Sequence, residues 1–121
     1  MRGFGELEAA IMDRIWSAER PLLVREIQQA LRPERAYNTV WTVVEILYRK
    51  GWLAREKEGR AYRYRATVSR ADYTAGLMGE ALQTSTDRVA ALRRFAERIA
   101  PAEAEELRRA LEQAQQAGEQ E

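Results

Sequence analysis

The chain has 121 residues, a formal net charge of +1, and neither cysteine nor histidine. This length suits one compact domain or a small domain with an appendage. The missing residue types exclude disulfides and the thiolate and imidazole ligands of zinc or copper sites. The charge is unevenly distributed, because residues 1–70 carry +5 and residues 71–121 carry −4. We therefore expect the two halves to face different partners.

The first third of the chain predicts two short helices separated by a strand. Residues 5–18 have apolar side chains at helical spacing, and Pro21 prevents the helix from continuing. Residues 22–24 are short and apolar enough for one strand, and residues 25–31 make a second helix before the break at Pro33. With a third helix to follow, this order is typical of a helix-turn-helix.

Residues 36–50 predict the third helix, which Gly51 ends. Turning each residue through about 100 degrees places one apolar stripe on Val40, Val43, Val44 and Leu47. The opposite face carries Asn38, Trp41, Thr42, Glu45 and Arg49. Its amide, hydroxyl and indole groups can contact base edges in a major groove, and its arginine is placed to meet a phosphate. The alternative is that Trp41 packs against a neighbouring helix and Asn38 caps the helix start.

A basic hairpin follows. Residues 53–57 and 61–65 alternate as two strands, with Glu58 and Gly59 as the turn. The second strand places Tyr62 and Tyr64 on one face and Arg63 and Arg65 on the other. Residues 49–70 hold eight basic residues against two acidic ones, a local net charge of +6. Phosphate oxygens would relieve the resulting repulsion, whereas the alternative is an ordinary solvated surface.

Beyond residue 70 the sequence predicts helices alone. Ser69 is placed to cap the first, residues 84–87 form a polar break, and Pro101 starts the last. The apolar stripes have little core of their own, and burying a leucine-sized side chain is worth roughly 1.5–3 kcal/mol. We therefore expect the tail to pair with a second copy of the chain, rather than to fold back on the first half. The candidate dimerisation residues are Leu77, Met78, Leu92, Phe95, Ile99, Leu107 and Leu111.

The expected fold class is mainly α with a small antiparallel β wing. It comprises a winged helix-turn-helix at residues 1–70 and a helical dimerisation domain at residues 71–121. No glycine-rich phosphate loop or nucleophile elbow occurs, so we expect no enzyme and no cofactor, with carboxylate catalysis as the remote alternative. Neither a signal-peptide pattern nor an apolar run of membrane length occurs, which predicts a cytoplasmic protein.

Short motifs in a set order carry a family resemblance. They are GELE at 5–8, IM at 11–12, IW at 15–16, VREI at 24–27, YNTV at 37–40, TV at 42–43, LYRKG at 47–51, GRAYRY at 59–64 and EELR at 105–108. Together they resemble the penicillinase-repressor family of bacterial winged-helix regulators, which includes the beta-lactamase, methicillin-resistance and copper-responsive repressors. Copper-responsive relatives use a C-terminal cysteine motif, which this chain lacks.

The resemblance implies a dimeric transcriptional repressor that binds a near-palindromic operator with one recognition helix per half-site. The genes expected under its control are a beta-lactamase or cell-envelope stress regulon. The residues expected to bind DNA are Arg25, Tyr37, Asn38, Thr39, Trp41, Thr42, Arg49, Lys57, Arg60, Tyr62 and Arg63. The alternative function is a winged-helix module that binds proteins and does not bind DNA specifically.

The resemblance also implies a route of release. In antibiotic-responsive members, activation of a membrane-bound sensor metallopeptidase leads to cleavage of the tail between an asparagine and a phenylalanine. The corresponding region here contains Arg93, Arg94 and Phe95 without an asparagine. A protease of different preference, cleavage elsewhere and a different signal all stay open.

Overall fold

The computed structural model describes residues 3–120 of the chain. Its elements in order are α1 (Glu6–Ser17), β1 (Leu22–Leu23), α2 (Val24–Ala30), α3 (Tyr37–Arg49), β2 (Leu53–Glu58), β3 (Ala61–Ala66), α4 (Arg70–Gln83), α5 (Arg88–Arg98) and α6 (Pro101–Gln120). The strands form one antiparallel sheet in the order β1-β3-β2. The predicted class, mainly helical with a small antiparallel wing, is confirmed.

The chain divides into two compact units between Gly79 and Glu80, within α4. The first, here called the winged unit, contains α1 to β3 and the start of α4. Its core is formed by helices α1 to α3 and one face of the sheet. The buried side chains of this core are Ile11, Met12, Ile15, Leu22, Val24, Ile27, Leu31, Val40, Val44, Leu47, Leu53 and Tyr64.

The second helix begins one residue earlier than the sequence predicts. Val24, expected to end the strand, is the first residue of α2. The carboxylate of Glu26 accepts a hydrogen bond from the backbone N–H of Leu23 at 2.9 Å. A glutamate in this position satisfies an N–H that would otherwise have no partner at the start of a helix. The capping bond therefore accounts for the earlier start.

The wing, defined as the β2–β3 hairpin, turns one residue later than predicted. Glu58 pairs with Ala61, so the two loop residues are Gly59 and Arg60 rather than Glu58 and Gly59. Gly59 has φ +63 and Arg60 has no positive φ. A two-residue hairpin with glycine first is a preferred connection because its twist matches that of the strands. The change places Arg60 at the tip of the wing.

Gly51 ends α3 as predicted. With φ +91 it adopts the left-handed conformation that glycine tolerates. Its N–H donates to the carbonyl of Tyr48, and the N–H of Trp52 donates to the carbonyl of Leu47, both at 3.0 Å. These two bonds form a Schellman motif, which satisfies the last carbonyls of the helix and directs the chain into the wing.

An aromatic cluster holds the start of α4 on the winged unit. The ring of Tyr73 stacks on Phe4 with centroids 4.6 Å apart, and its edge-to-face contact with Trp52 spans 5.5 Å. The hydroxyl of Tyr73 accepts a hydrogen bond from the N–H of Phe4 at 2.9 Å. Beside this cluster the indole N–H of Trp16 donates to the carbonyl of Val68 at 2.9 Å. The first turn of α4 therefore packs with residues far away in sequence.

The tail helices expose their apolar stripes. Asp87, the last residue of the predicted polar break, caps α5 by accepting a hydrogen bond from the N–H of Ala90 at 3.1 Å. None of the described side chains of α4, α5 and α6 is buried. The large apolar side chains among those exposed are Met78, Val89, Leu92, Phe95, Leu107 and Leu111.

Candidate nucleic-acid interface

The predicted reading face of α3 is open to solvent. Tyr37 and Trp41 are 47% and 45% exposed, and Asn38, Thr39 and Thr42 are also exposed. Such exposure is unusual for large aromatic side chains, which are mostly buried. The alternative in which Asn38 caps the helix is wrong, because the N-cap is Ala36 and no side chain caps it.

A hydrogen bond within α3 determines which groups of the Thr42 side chain remain available for DNA. The Oγ of Thr42 donates to the carbonyl of Asn38 at 2.8 Å, one turn earlier in the helix. The hydroxyl proton is therefore used within the helix, which leaves the oxygen as an acceptor and the methyl group as an apolar contact. These are the groups that can meet the amino group of a base or the methyl group of thymine.

Three elements surround one open cleft of about 550 Å³. Arg25 lines it from α2, Tyr37 and Trp41 from α3, and Arg60 and Tyr62 from the wing. The fold thus brings together five of the residues that the sequence proposed separately. A concave surface with aromatic walls and two arginines can bind a polyanion and stack against its flat or apolar parts. Arg49 is exposed at the end of α3, and Lys57 is exposed on the wing.

The basic charge of residues 49–70 is only partly available to a ligand. Three of the cations in this range form ion pairs within the chain: Arg55 with Glu45, Arg63 with Glu26 and Glu58, and Arg70 with Asp13. Among the described residues the other five form no ion pair: Arg49, Lys50, Lys57, Arg60 and Arg65. The local charge of +6 therefore overstates what an external phosphate would meet.

Arg63 is not the free cation that the sequence predicts. Its guanidinium binds Glu26 at 2.9 Å and Glu58 at 2.8 Å, and it also donates to the carbonyl of Pro21 at 3.3 Å. β1 pairs with β3, which places Arg63 opposite Leu23 and next to the start of α2. Arg63 thus joins the wing to α2 instead of projecting into solvent.

Glu26 is the acceptor at the centre of these bonds. Hydrogen bonds from Arg20 and from the N–H of Leu23, with a further one from Arg63, lower the pKa of Glu26 to about 2. A carboxyl whose pKa is lower in the folded state than in the unfolded state stabilises the fold above its unfolded pKa. That contribution is lost as the pH falls through the folded pKa.

We expect Glu26→Gln to lower the free energy of unfolding by about 1 kcal/mol at pH 7, since solvent screens part of each charged bond. The difference from the wild type should persist down to about pH 4.5 and disappear towards pH 2, the interval between the ordinary and the lowered pKa. Urea unfolding at a series of pH values measures it. A difference that is constant from pH 7 to pH 2 would contradict this role.

Comparison with known proteins identifies the family. A model of the penicillinase repressor family matches residues 4–113. The chain belongs to this family. It is 43% identical over 112 residues to the transcriptional regulator BlaI of Mycobacterium tuberculosis, a match that covers 88% of this chain and 81% of that protein. The resemblance carried by the short motifs is confirmed.

Solved structures show the same fold. The DNA binding domain of the repressor BlaI superposes with a TM-score of 0.52 at 26% identity, covering 60% of this chain and 94% of that domain. A mutant of MepR from Staphylococcus aureus, solved bound to an oligodeoxyribonucleotide, has a TM-score of 0.51 at 15% identity, covering 94% of this chain and 79% of that one. The penicillinase repressors are transcriptional regulators and not enzymes.

The family assignment defines the coarse function. This member of the penicillinase repressor family is a transcriptional repressor with a winged helix-turn-helix fold, as the sequence predicted. Within residues 3–120 no helix has the length and apolar character needed to cross a membrane.

Proposed function

We propose that this repressor acts as a homodimer and binds a near-palindromic operator, with α3 in the major groove of each half-site. The observation that carries the proposal is the cleft in which the exposed Tyr37 and Trp41 of α3 lie with Arg60 of the wing, a cation that forms no ion pair among the described residues. Asn38, Trp41 and Thr42 would contact bases, because they offer amide, apolar and acceptor groups on one helix face. Lys57 and Arg60 would hold the phosphate backbone.

The remaining predicted DNA contacts fit the same arrangement in different degrees. Tyr37 and Thr39 lie in the first turn of α3, and Arg25 of α2 lines the cleft beside Tyr37. Arg49 lies at the other end of α3, where a phosphate contact is the natural role of an exposed arginine. Tyr62 faces the cleft from the wing. Arg63 would support the interface indirectly, since its guanidinium is already bound to two carboxylates.

The tail supports dimerisation through its exposed apolar side chains. The proposed interface comprises Leu77, Met78, Leu92, Phe95, Ile99, Leu107 and Leu111. Phe95 is 42% exposed and Leu111 is 57% exposed. Burial of these groups against a second copy would remove apolar area from water and join two half-site contacts into one binding event.

Regulation completes the proposal. Because the family is that of the penicillinase repressors, the genes expected under control are a beta-lactamase or cell-envelope stress regulon. Cleavage within α5, at Arg93, Arg94 or Phe95, would separate the two halves of the dimer without touching a base contact. Co-expression with a membrane-bound sensor metallopeptidase, followed by mass measurement with and without inducer, tests this step. An intact chain under inducer excludes this route.

The division between base contacts and phosphate contacts is directly testable. Asn38→Ala and Thr42→Ala should each reduce the preference for a specific duplex by roughly 1–3 kcal/mol per lost contact. The specific probe is a duplex enriched from a random-sequence library by the wild-type protein, and the reference is a scrambled duplex of the same composition. Fluorescence anisotropy at several salt concentrations gives both affinities.

Lys57→Ala and Arg60→Ala form the matching set. Both should weaken binding to the two duplexes equally and reduce the slope of log affinity against log salt by about one each, because each releases one phosphate contact. If the two sets of variants gave the same pattern, the assignment of roles would be wrong. If no duplex were enriched, the chain would instead fit a protein-binding module.

A further inference from the structure

Arg55 occupies the junction between the recognition helix and the wing. Its guanidinium carbon lies 3.9 Å from the ring centroid of Tyr48 on α3 and 4.0 Å from that of Tyr62 on β3. The same group donates to Glu45 on α3 at 2.8 Å. The side chains of Arg55 and Glu45 are only 23% and 16% exposed. Arg55 therefore lies between two aromatic rings, one from the helix and one from the wing.

Tyr64 adds a second bond to the same carboxylate. Its hydroxyl donates to Oε1 of Glu45 at 3.0 Å, and its ring is part of the buried core. Burial raises the pKa of Tyr64, so the hydroxyl stays protonated and remains a donor. One oxygen of the helix thus receives bonds from both strands of the wing, Arg55 on β2 and Tyr64 on β3.

This arrangement does not suit a phosphate contact. The charge of Arg55 is matched by Glu45, two aromatic rings lie within about 4 Å of its guanidinium carbon, and the side chain is largely withdrawn from solvent. Planar stacking together with a directed N–H bond is a property of arginine that lysine does not share. The contacts of Arg55 therefore join the wing to α3.

We propose that Glu45 and Arg55 are positioning residues for operator recognition, which hold the wing at the angle that lets its cations and the base-reading face of α3 engage one duplex together. The inference rests on the proposed function, since it concerns how that interface is assembled. It assigns a role to an acidic residue on the recognition helix that electrostatics alone would count as unfavourable for DNA binding.

The direction in which Glu45→Gln changes the DNA affinity distinguishes a positioning role from a purely electrostatic one. Glu45→Gln removes a negative charge near the interface, which by electrostatics alone should strengthen DNA binding. We expect it to weaken binding to the enriched duplex by about tenfold, with less than about twofold change on the scrambled duplex. The matched control is Glu56→Gln, which neutralises an exposed carboxylate on the wing that forms no ion pair among the described residues. The control should bind both duplexes equally well or slightly better.

Arg55→Lys provides the complementary test because it retains the charge. A phosphate contact would survive this change, whereas stacking between two rings would not. We expect about a tenfold loss on the enriched duplex with an unchanged salt slope. Arg65→Lys makes the same chemical change at an exposed arginine of the wing and should have almost no effect. The double variant with Glu45→Gln should lose no more than either single variant, because both interrupt one contact.

Amide hydrogen exchange tests the same inference without DNA. Exchange in residues 53–66 should accelerate severalfold in Glu45→Gln and Arg55→Lys, while the amides of α1 remain as protected as in the wild type. If either variant fails to fold, Tyr48→Leu takes its place in this test, because it removes one ring and leaves the ion pair. Unchanged wing exchange, or an Arg55→Lys variant that matches Arg65→Lys on both duplexes, would overturn the inference. A wild type that prefers no duplex would contradict the proposed function alone.

Discussion

Replacing Leu92 and Leu107 by glutamate is expected to convert the proposed dimer into a monomer and to lower its affinity for the enriched duplex by about 10²–10⁴-fold. Both side chains are exposed in a single chain, at 51% and 41%. A carboxylate in an apolar interface between two copies would lose its hydration without gaining a partner. Each winged unit would then bind its half-site alone, without the effective concentration that a linked partner provides.

Sedimentation velocity at micromolar concentration gives the oligomeric state, and anisotropy with one-half-site and two-half-site duplexes gives the affinities. The control is Gln113→Glu with Gln116→Glu, which adds the same two charges at exposed positions away from the α6 stripe. It should remain dimeric and should bind normally. The half-site affinity of the monomeric variant should equal that of the wild type. A glutamate variant that stays dimeric would show that the interface lies elsewhere.

The parts of the interface that sequence could predict are those governed by local periodicity. The helical period placed Val40, Val44 and Leu47 in the core and left Trp41 and Thr42 exposed. Gly51 was predictable as the helix end because a left-handed residue at that position favours glycine. These features depend on residues within a few positions of one another.

The state of the charges could not be predicted in the same way. Counting residues treats Arg55, Arg63 and Arg60 alike, yet the first two are bound to carboxylates and the third is free of ion pairs within the described chain. Glu45 lies 10 residues from Arg55 and Glu26 lies 37 residues from Arg63, and both acceptors are on helices. The second acceptor of Arg63, Glu58, lies on the wing itself. Only the packing of the sheet on α2 and α3 determines these pairings.

The contacts made by the first turn of α4 could not be predicted from the sequence for the same reason. Periodicity assigns Tyr73 to an apolar stripe of the helix after residue 70. In the structure the ring of Tyr73 packs against Phe4 and Trp52. Its hydroxyl accepts a hydrogen bond from the backbone N–H of Phe4, which is 69 residues away in sequence. A helical stripe shows which side chains share a face, but it carries no information about which distant surface they meet.

Tyr73→Ala should therefore destabilise the winged unit, although the residue belongs to a helix that continues into the tail. We expect the free energy of unfolding to fall by about 3 kcal/mol, the lower end of the range for removed aromatic rings, because Tyr73 is partly exposed. The loss combines the stacked contact with Phe4 and the unsatisfied N–H of Phe4. Urea unfolding followed by tryptophan fluorescence measures it, since Trp16 and Trp52 both border the ring.

Two further variants serve as controls. One separates the contribution of the Tyr73 ring to stability from that of its hydroxyl, and the other measures the general effect of truncating a tyrosine. Tyr73→Phe retains the stacking and loses only the acceptor, so it should lower the free energy of unfolding by about 1 kcal/mol. Tyr37→Ala removes a tyrosine that is 47% exposed on α3, and the change should stay within about 0.5 kcal/mol. Equal stability of Tyr73→Ala and the wild type would mean that the cluster does not hold α4. An effect as predicted would mean that the first turn of α4 is an integral part of the winged unit, because the ring and the hydroxyl of Tyr73 then contribute to the same cooperative transition as the core.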